Sequence, residues 1–226
     1  MKKLFLTLLI ILCFCSLTYA APAYGPRMPQ QKQIFIGLQT FSVFKRHLEN
    51  DYGKIRSLQN FFLISYGIFD WFSIDAKGGV GDIRQRPETG NELKYDAFLG
   101  GGYGFRIKFY DADKTKMIFG FQHISIHPHT VTNNNQKNKA VLDNWQFSLL
   151  ASREIFNLTP YIGCRWSRMD NIHWVDTNRK MEKSDLDKSA GLILGMDIPI
   201  SKKMWFNIEG GFFDETSVAG SFNFAF

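Results

Sequence analysis

The chain has 226 residues, with 27 Lys and Arg against 21 Asp and Glu, a formal charge of +6, and three cysteines. That length suits one domain of ordinary size, and the basic residues are scattered too thinly to line a nucleic-acid groove. A mean hydropathy of −0.18 argues against a bundle of membrane helices. It says nothing against a barrel, in which lipid-facing and inward residues alternate and their hydropathies cancel.

Residues 1–20 predict a cleaved signal peptide. Met1, Lys2 and Lys3 give a positive start, residues 4–12 are almost wholly apolar, and Thr18, Tyr19 and Ala20 set up cleavage before Ala21. The apolar run is too short to span a bilayer as a helix. Cys13 and Cys15 leave with it, and Leu12 and Phe14 before them exclude a lipidation site. Cys164 remains, and one thiol cannot make an intramolecular disulfide. The exported chain carries +4, since Lys2 and Lys3 leave and no acid does. Residues 21–31, with Pro22, Pro26 and Pro29, read as a short periplasmic N-terminal segment, and residues 32–226 as the folded domain.

Within that domain, period-two patterning marks about ten segments of strand length, near residues 32–45, 57–69, 71–84, 94–110, 115–127, 141–155, 158–170, 187–199, 203–214 and 217–226. In the fourth, Tyr95, Leu99, Tyr103, Phe105 and Phe109 share one face, and Asp96, Gly100, Gly104, Arg106 and Lys108 share the other. The connections alternate. Tight turns fall at Asp70, at residues 111–114, at residues 156–157 and at residues 201–202, and most of the intervening joins are longer and more polar. The pattern predicts an all-β fold: a closed antiparallel transmembrane β-barrel of about ten strands, with eight and twelve as the neighbouring counts. Short periplasmic turns, longer external loops and both termini in the periplasm go with it. A soluble β-sandwich is the competing all-β reading, but it gives no reason for long and short connections to alternate.

The last segment places Phe222, Phe224 and Phe226 on one side and Ser221, Asn223 and Ala225 on the other. With this ending the chain resembles the small outer-membrane β-barrel proteins of Gram-negative bacteria over essentially its whole mature length. The resemblance implies the bacterial outer membrane, contact with outer-membrane lipid and lipopolysaccharide, and a terminal aromatic row read by the barrel-assembly machinery. No motif calls for a cofactor or a nucleic acid. The glycine runs at residues 78–81 and 100–104 lack the spacing of a phosphate loop entering a helix.

The inward rows carry Asp75, Lys77, Arg106, Lys108, Arg165, Asp197 and Glu209, with Gly79, Gly81, Gly100, Gly102 and Gly104 leaving room for long side chains. Charges of both signs in a narrow lumen predict a salt-bridged plug, with a small ion pathway as the alternative. Trp71 and Trp205, beside short turns, suit an interfacial girdle. Cys164 shares an outward row with Ile162 and Trp166 and packs as a small hydrophobe.

The stretch FGFQHISIHPHT, residues 119–130, adds chemistry. The outward row of Met117, Phe119 and Phe121 continues to His123, Ser125 and His127, and the row of Trp145, Phe147 and Leu149 extends back to Asp143 on the next strand. This set resembles the outer-membrane lipid A deacylases, small barrels that hydrolyse an acyl ester at a lipid-facing His-x-Ser pair. The resemblance implies Ser125 as nucleophile, His123 as general base and Asp143 as the acid that orients the imidazole. Read structurally, the same side chains are polar residues at the membrane edge. A metal held by His123, His127 and His129 is a further alternative, but three collinear side chains converge on one ion only if Pro128 bends the chain. Two functions follow: a non-catalytic envelope or surface barrel with a plugged lumen, or a lipid A or phospholipid acyl-ester hydrolase. The connections carry Arg46, His47, Lys54, Arg56, Lys137, Lys139, Arg179, Lys180 and Lys183, a basic character that suits phosphorylated headgroups. Asn133 to Asn135, with Gln136 and Asn138, read as a mobile polar loop.

Overall fold

The computed structural model describes residues 25–50, 52–88, 91–133 and 135–226. The expected signal peptide and the first residues after it lie outside the described residues. Twelve strands follow in order: β1 (Ile34–His47), β2 (Lys54–Phe69), β3 (Phe72–Arg86), β4 (Leu93–Ala112), β5 (Thr115–His127), β6 (Val131–Asn133), β7 (Gln136–Arg153), β8 (Thr159–Val175), β9 (Asn178–Lys183), β10 (Ala190–Pro199), β11 (Met204–Phe212) and β12 (Glu215–Ala225).

Ten of these close a ring. The order runs β7-β5-β4-β3-β2-β1-β12-β11-β10-β8, and β8 pairs back onto β7. The first and last strands meet along most of their length, from Phe35 opposite Ala225 to Arg46 opposite Glu215. β6 and β9 are short additions to β7 and β8 beyond the ring. The stretch read as a mobile loop is therefore partly folded, with Val131–Asn133 paired to residues 136–138. Each of the ten periodic segments corresponds to one ring strand, and β5 coincides with its expected span.

The distribution of polarity is inverted relative to a soluble domain. Along β2, Leu58, Phe62, Ile64 and Tyr66 are exposed while Ser57, Gln59 and Ser65 are buried. The same inversion runs round the ring, from exposed Leu38 on β1 to exposed Phe206 and Ile208 on β11. An apolar outer wall around a polar interior is the partition of a barrel whose wall meets hydrocarbon.

Bulges interrupt the alternation and overturn two expectations. The register shifts between Gly81 and Ile83 on β3, where Gly81 faces Phe98 and Ile83 faces Tyr95. Tyr95, expected outward, consequently points in and is 1% exposed. A second shift, between Val43 and Lys45 on β1, turns Arg46 inward, so this residue is a lumen charge and not a loop cation. A bulge adds one residue to one strand, and a period of two then places later side chains on the opposite face.

Inside the ring, toward the long connections, Ile55, Phe61, Ile83, Tyr95, Ile126 and Met169 belong to one apolar cluster. Hydrophobic packing therefore occupies part of the interior alongside the charged side chains. Gly81 and Gly100 make room for this cluster and not for ionic side chains: a Cβ on either would meet Ile126, at 3.0 Å and 2.6 Å.

Candidate functional site

Six of the seven expected lumen charges are buried inside the ring: Asp75, Lys77, Arg106, Arg165, Asp197 and Glu209. Near the short turns, Arg106 grips Asp75 through two bonds, Nε to Oδ2 at 2.9 Å and Nη2 to Oδ1 at 2.8 Å. Lys77 donates to Gln39 at 3.0 Å. Glu209 accepts from the Tyr161 hydroxyl at 2.9 Å, and Asn207 donates to both that hydroxyl and Asp197. Lys108 lies at the rim, where its ammonium meets Asp111 at 2.6 Å beside the β4–β5 turn and stays partly exposed. The β4 register shifts between Lys108 and Tyr110, which ends the inward row there.

The N-terminal segment enters this end of the lumen. Gly25 and Pro26 are buried, and Arg106 donates to the Arg27 carbonyl at 2.7 Å. The Arg27 guanidinium lies 4.4 Å over the Trp205 ring and bonds the Lys202 carbonyl. Trp205, expected in a girdle, is 1% exposed and faces inward with Phe35. Gln31 and Lys32 anchor the segment through their amides, to Asp70 Oδ1 and to the Gly67 carbonyl.

Toward the long connections a second ionic layer crosses the ring. Arg165 binds Asp214 through Nε at 2.8 Å and Glu215 through Nη1 at 3.1 Å, and Arg46 reaches Asp214 at 3.2 Å, all with side chains at most 1% exposed. Of these four residues the sequence pattern places only Arg165 in the lumen and reads Arg46 as a loop cation. Asp214 occupies the short β11–β12 connection after Phe213, whose φ is 76°, and this turn folds its acids inward. The signal was that connection itself, which is tight where the neighbouring joins on that side are long.

On the outer wall, β5 and β7 pair so that Ser125 faces Asp143 and His123 faces Trp145. All four side chains point outward, as the row pattern required. Ser125 Oγ and His127 Nε2 are 2.9 Å apart, while His123 Nε2 is 3.7 Å from Asp143 Oδ1. The histidine within hydrogen-bond distance of the serine is thus His127, whereas the sequence reading gave that role to His123. His123 packs between Trp145, at 4.1 Å between ring centroids, and Tyr103, at 5.3 Å. His129 stacks at 4.3 Å on Phe98. Among the described residues no group of three His, Cys, Asp or Glu is placed to hold a metal ion.

Along the hydrogen-bonding direction one outward row runs Gly78, Gly101, Ser125, Asp143, Asp170. The two glycines leave bare backbone on the wall beside Ser125. Measured from the short-turn end, Ser125 and Asp143 stand about ten residues along their strands, which at ~3.3 Å per residue and a tilt near 40° is a rise of roughly 25 Å, the height of a barrel's apolar band. The cluster therefore sits at the far edge of that band.

Phe222 and Phe224 point outward on β12, Phe226 follows directly after it, and the Phe224 and Phe226 rings meet edge-on at 4.7 Å. Phe226 also donates its amide to the Ile34 carbonyl at 2.9 Å, continuing the β1–β12 seam to the end of the sequence.

No protein-family model matches the chain, and no curated protein matches it in sequence. Among solved structures it is similar to the transport unit of the autotransporter AIDA-I from Escherichia coli, with 13% identity over 90% of this chain and 92% of that one and a TM-score of 0.46. The translocator domain of the autotransporter NalP from Neisseria meningitidis gives 12% identity, 86% and 87% coverage and a TM-score of 0.44. The outer-membrane protease OmpT from Escherichia coli gives 10% identity, 91% and 96% coverage and a TM-score of 0.38. Likeness at this level assigns no activity, and the closed ring rests on the strand pairings above.

The loop-side ionic layer makes a direct prediction. Asp214→Asn leaves Arg46 and Arg165 without their shared carboxylate, a loss on the order of 3–5 kcal/mol for a broken buried pair. The temperature at which the folded barrel converts to the slower-migrating unfolded form on a gel should fall markedly. An unchanged temperature would mean that the layer adds nothing to stability.

Proposed function

We propose that this chain is a small outer-membrane β-barrel with a closed lumen, serving the envelope through its outer wall and loops and not by conduction. The turn end and both termini lie on the periplasmic side. The observation that carries this reading is the filling of the lumen at both ends: the Arg106–Asp75 pair with the inserted segment at one, and the Arg46, Arg165, Asp214 and Glu215 layer at the other. Opposite charges held this closely, with side chains at most 4% exposed, support a lumen too obstructed for wide conduction. In planar bilayers the purified protein should give no steps or only small ones. Large, steady steps would overturn the closed-lumen reading.

Orientation has its own test. In a Cys164→Ser background, Lys180→Cys should react with a membrane-impermeant thiol reagent on intact cells and Asp113→Cys should not. The reverse pattern would invert the barrel.

One observation favours a second reading, an acyl-ester hydrolase acting on membrane lipid. Ser125 bonds His127 at 2.9 Å and faces Asp143 at the edge of the apolar band, the depth at which the ester carbonyls of a lipid lie. A neutral His127 would take the serine proton as Oγ attacks the carbonyl and return it to the departing alcohol oxygen as the ester C–O bond breaks; water, deprotonated by the same imidazole, would then release the fatty acid from the acyl-serine and restore the hydroxyl. Asp143, beside Ser125 and His123, would offset the positive charge that then develops on the imidazole. Mass spectrometry of lipids from cells expressing the wild type should then show loss of an acyl chain, abolished by Ser125→Ala and by His127→Ala. Identical lipid profiles with and without folded, inserted protein would remove this reading. Loss of activity in His123→Ala but not His127→Ala would return the base to the position expected from sequence.

A further inference from the structure

The outward face of β2, β3 and β4 at the long-connection end carries cations directly opposite one another. Lys54 pairs in register with Arg86, Arg56 with Arg84, and Arg84 with Lys94. All lie on the outer wall and are exposed, Arg56, Arg84 and Lys94 by 46%, 43% and 57% of their side chains. Like charges facing across adjacent strands destabilise a sheet, so three such pairs in one patch are a cost to the isolated barrel.

Local acids offset only part of it. Arg56 bonds Glu92, Arg84 bonds Asp82, and Lys94 bonds Asp96, each acid taking one cation. Lys54 and Arg86 make no salt bridge among the described residues, and with Gly53, Pro87 and Glu88 they line a concavity of about 370 Å³. The five cations exceed the three acids paired with them by two, and Glu88 in the same concavity lowers that excess to one; Glu49, Asp185 and Asp187 line a neighbouring pocket on the Lys54 side.

The surface below decides what kind of anion belongs there. The same three strands continue downward through Leu58, Val80 and Phe98, exposed by 46%, 46% and 51%. A cationic patch that passes directly into an apolar wall matches a ligand with a phosphate at one end and hydrocarbon at the other. We propose that this face binds the phosphate group of a membrane lipid, seated between Lys54–Arg86 and Arg56–Arg84, with its acyl chains along Leu58, Val80 and Phe98. Guanidinium groups supply paired donors to the phosphate oxygens, and the anion turns each like-charge pair into a bridge. The inference is independent of the hydrolase reading, since no residue of the Ser125 cluster takes part.

The test uses the full mature barrel in nonionic detergent, titrated separately with phosphatidic acid, with diacylglycerol and with inorganic phosphate, and read by the temperature of the heat-induced mobility shift and by lipid retained in native mass spectrometry. Phosphatidic acid should raise that temperature and be retained. Arg56→Gln with Arg84→Gln should weaken the effect by about tenfold or more. Lys137→Gln with Lys139→Gln, on β7 and outside the patch, should leave it unchanged. If diacylglycerol acts equally, the contact is apolar alone; if inorganic phosphate acts equally, the site takes a soluble anion. Either outcome, or a double variant that binds as the wild type does, overturns the proposal. Should the Arg pair prevent folding, Lys54→Gln with Arg86→Gln makes the same comparison.

Discussion

Every feature of this chain depends on the seam between its first and last strands. A sheet edge in hydrocarbon would leave its N–H and C=O groups without partners, at several kcal/mol each, so a β-structure can span a membrane only as a closed ring. Here the requirement is met by residues 169 to 190 positions apart, Arg46 against Glu215 and Phe35 against Ala225. Closure fixes two faces, and the two faces fix the composition. The alternation of exposed Leu58 and Phe62 with buried Ser57 and Gln59 on β2 is what a wall between oil and a narrow interior demands.

A narrow interior creates a second demand. Charged side chains enclosed by the ring lose their water and must find one another. The solution differs at the two ends. Near the short turns, Arg106 draws both a carboxylate and the backbone of the N-terminal segment; near the long connections, Arg46 and Arg165 share Asp214. Toward the long connections an apolar cluster that includes Ile126 and Phe61 packs inside the ring as well. The Ser125 cluster and the cationic face of β2 to β4 both lie outside this interior, on the outer wall.

Much of this was legible in the sequence because a period of two survives any detail of packing. The row from Met117 to His127 predicted the outward placement of His123 and Ser125, and the opposing row predicted Asp143. What the period could not supply was the position of an extra residue. The bulge near Gly81 sends Tyr95 inward, and the one after Val43 sends Arg46 inward, because each slips the count by one. Side-chain rotamers are a second blind spot. His123 and His127 stand at equal spacing from Ser125 on the same face, and only the aromatic packing of His123 between Trp145 and Tyr103 leaves His127 as the serine's partner. Asp214 escaped notice because a short turn offers too few residues to show any period.

The inserted segment at the turn end gives the fold an order in time. Residues 25–32 precede β1, yet they occupy a space whose last wall is β12, at the opposite end of the chain. Once the seam has formed, that space can be reached only end-on through a mouth ringed by turns. The first part of the domain to be made is thus enclosed by the last, and a chain that closed its seam early would have to thread its own beginning into a finished ring.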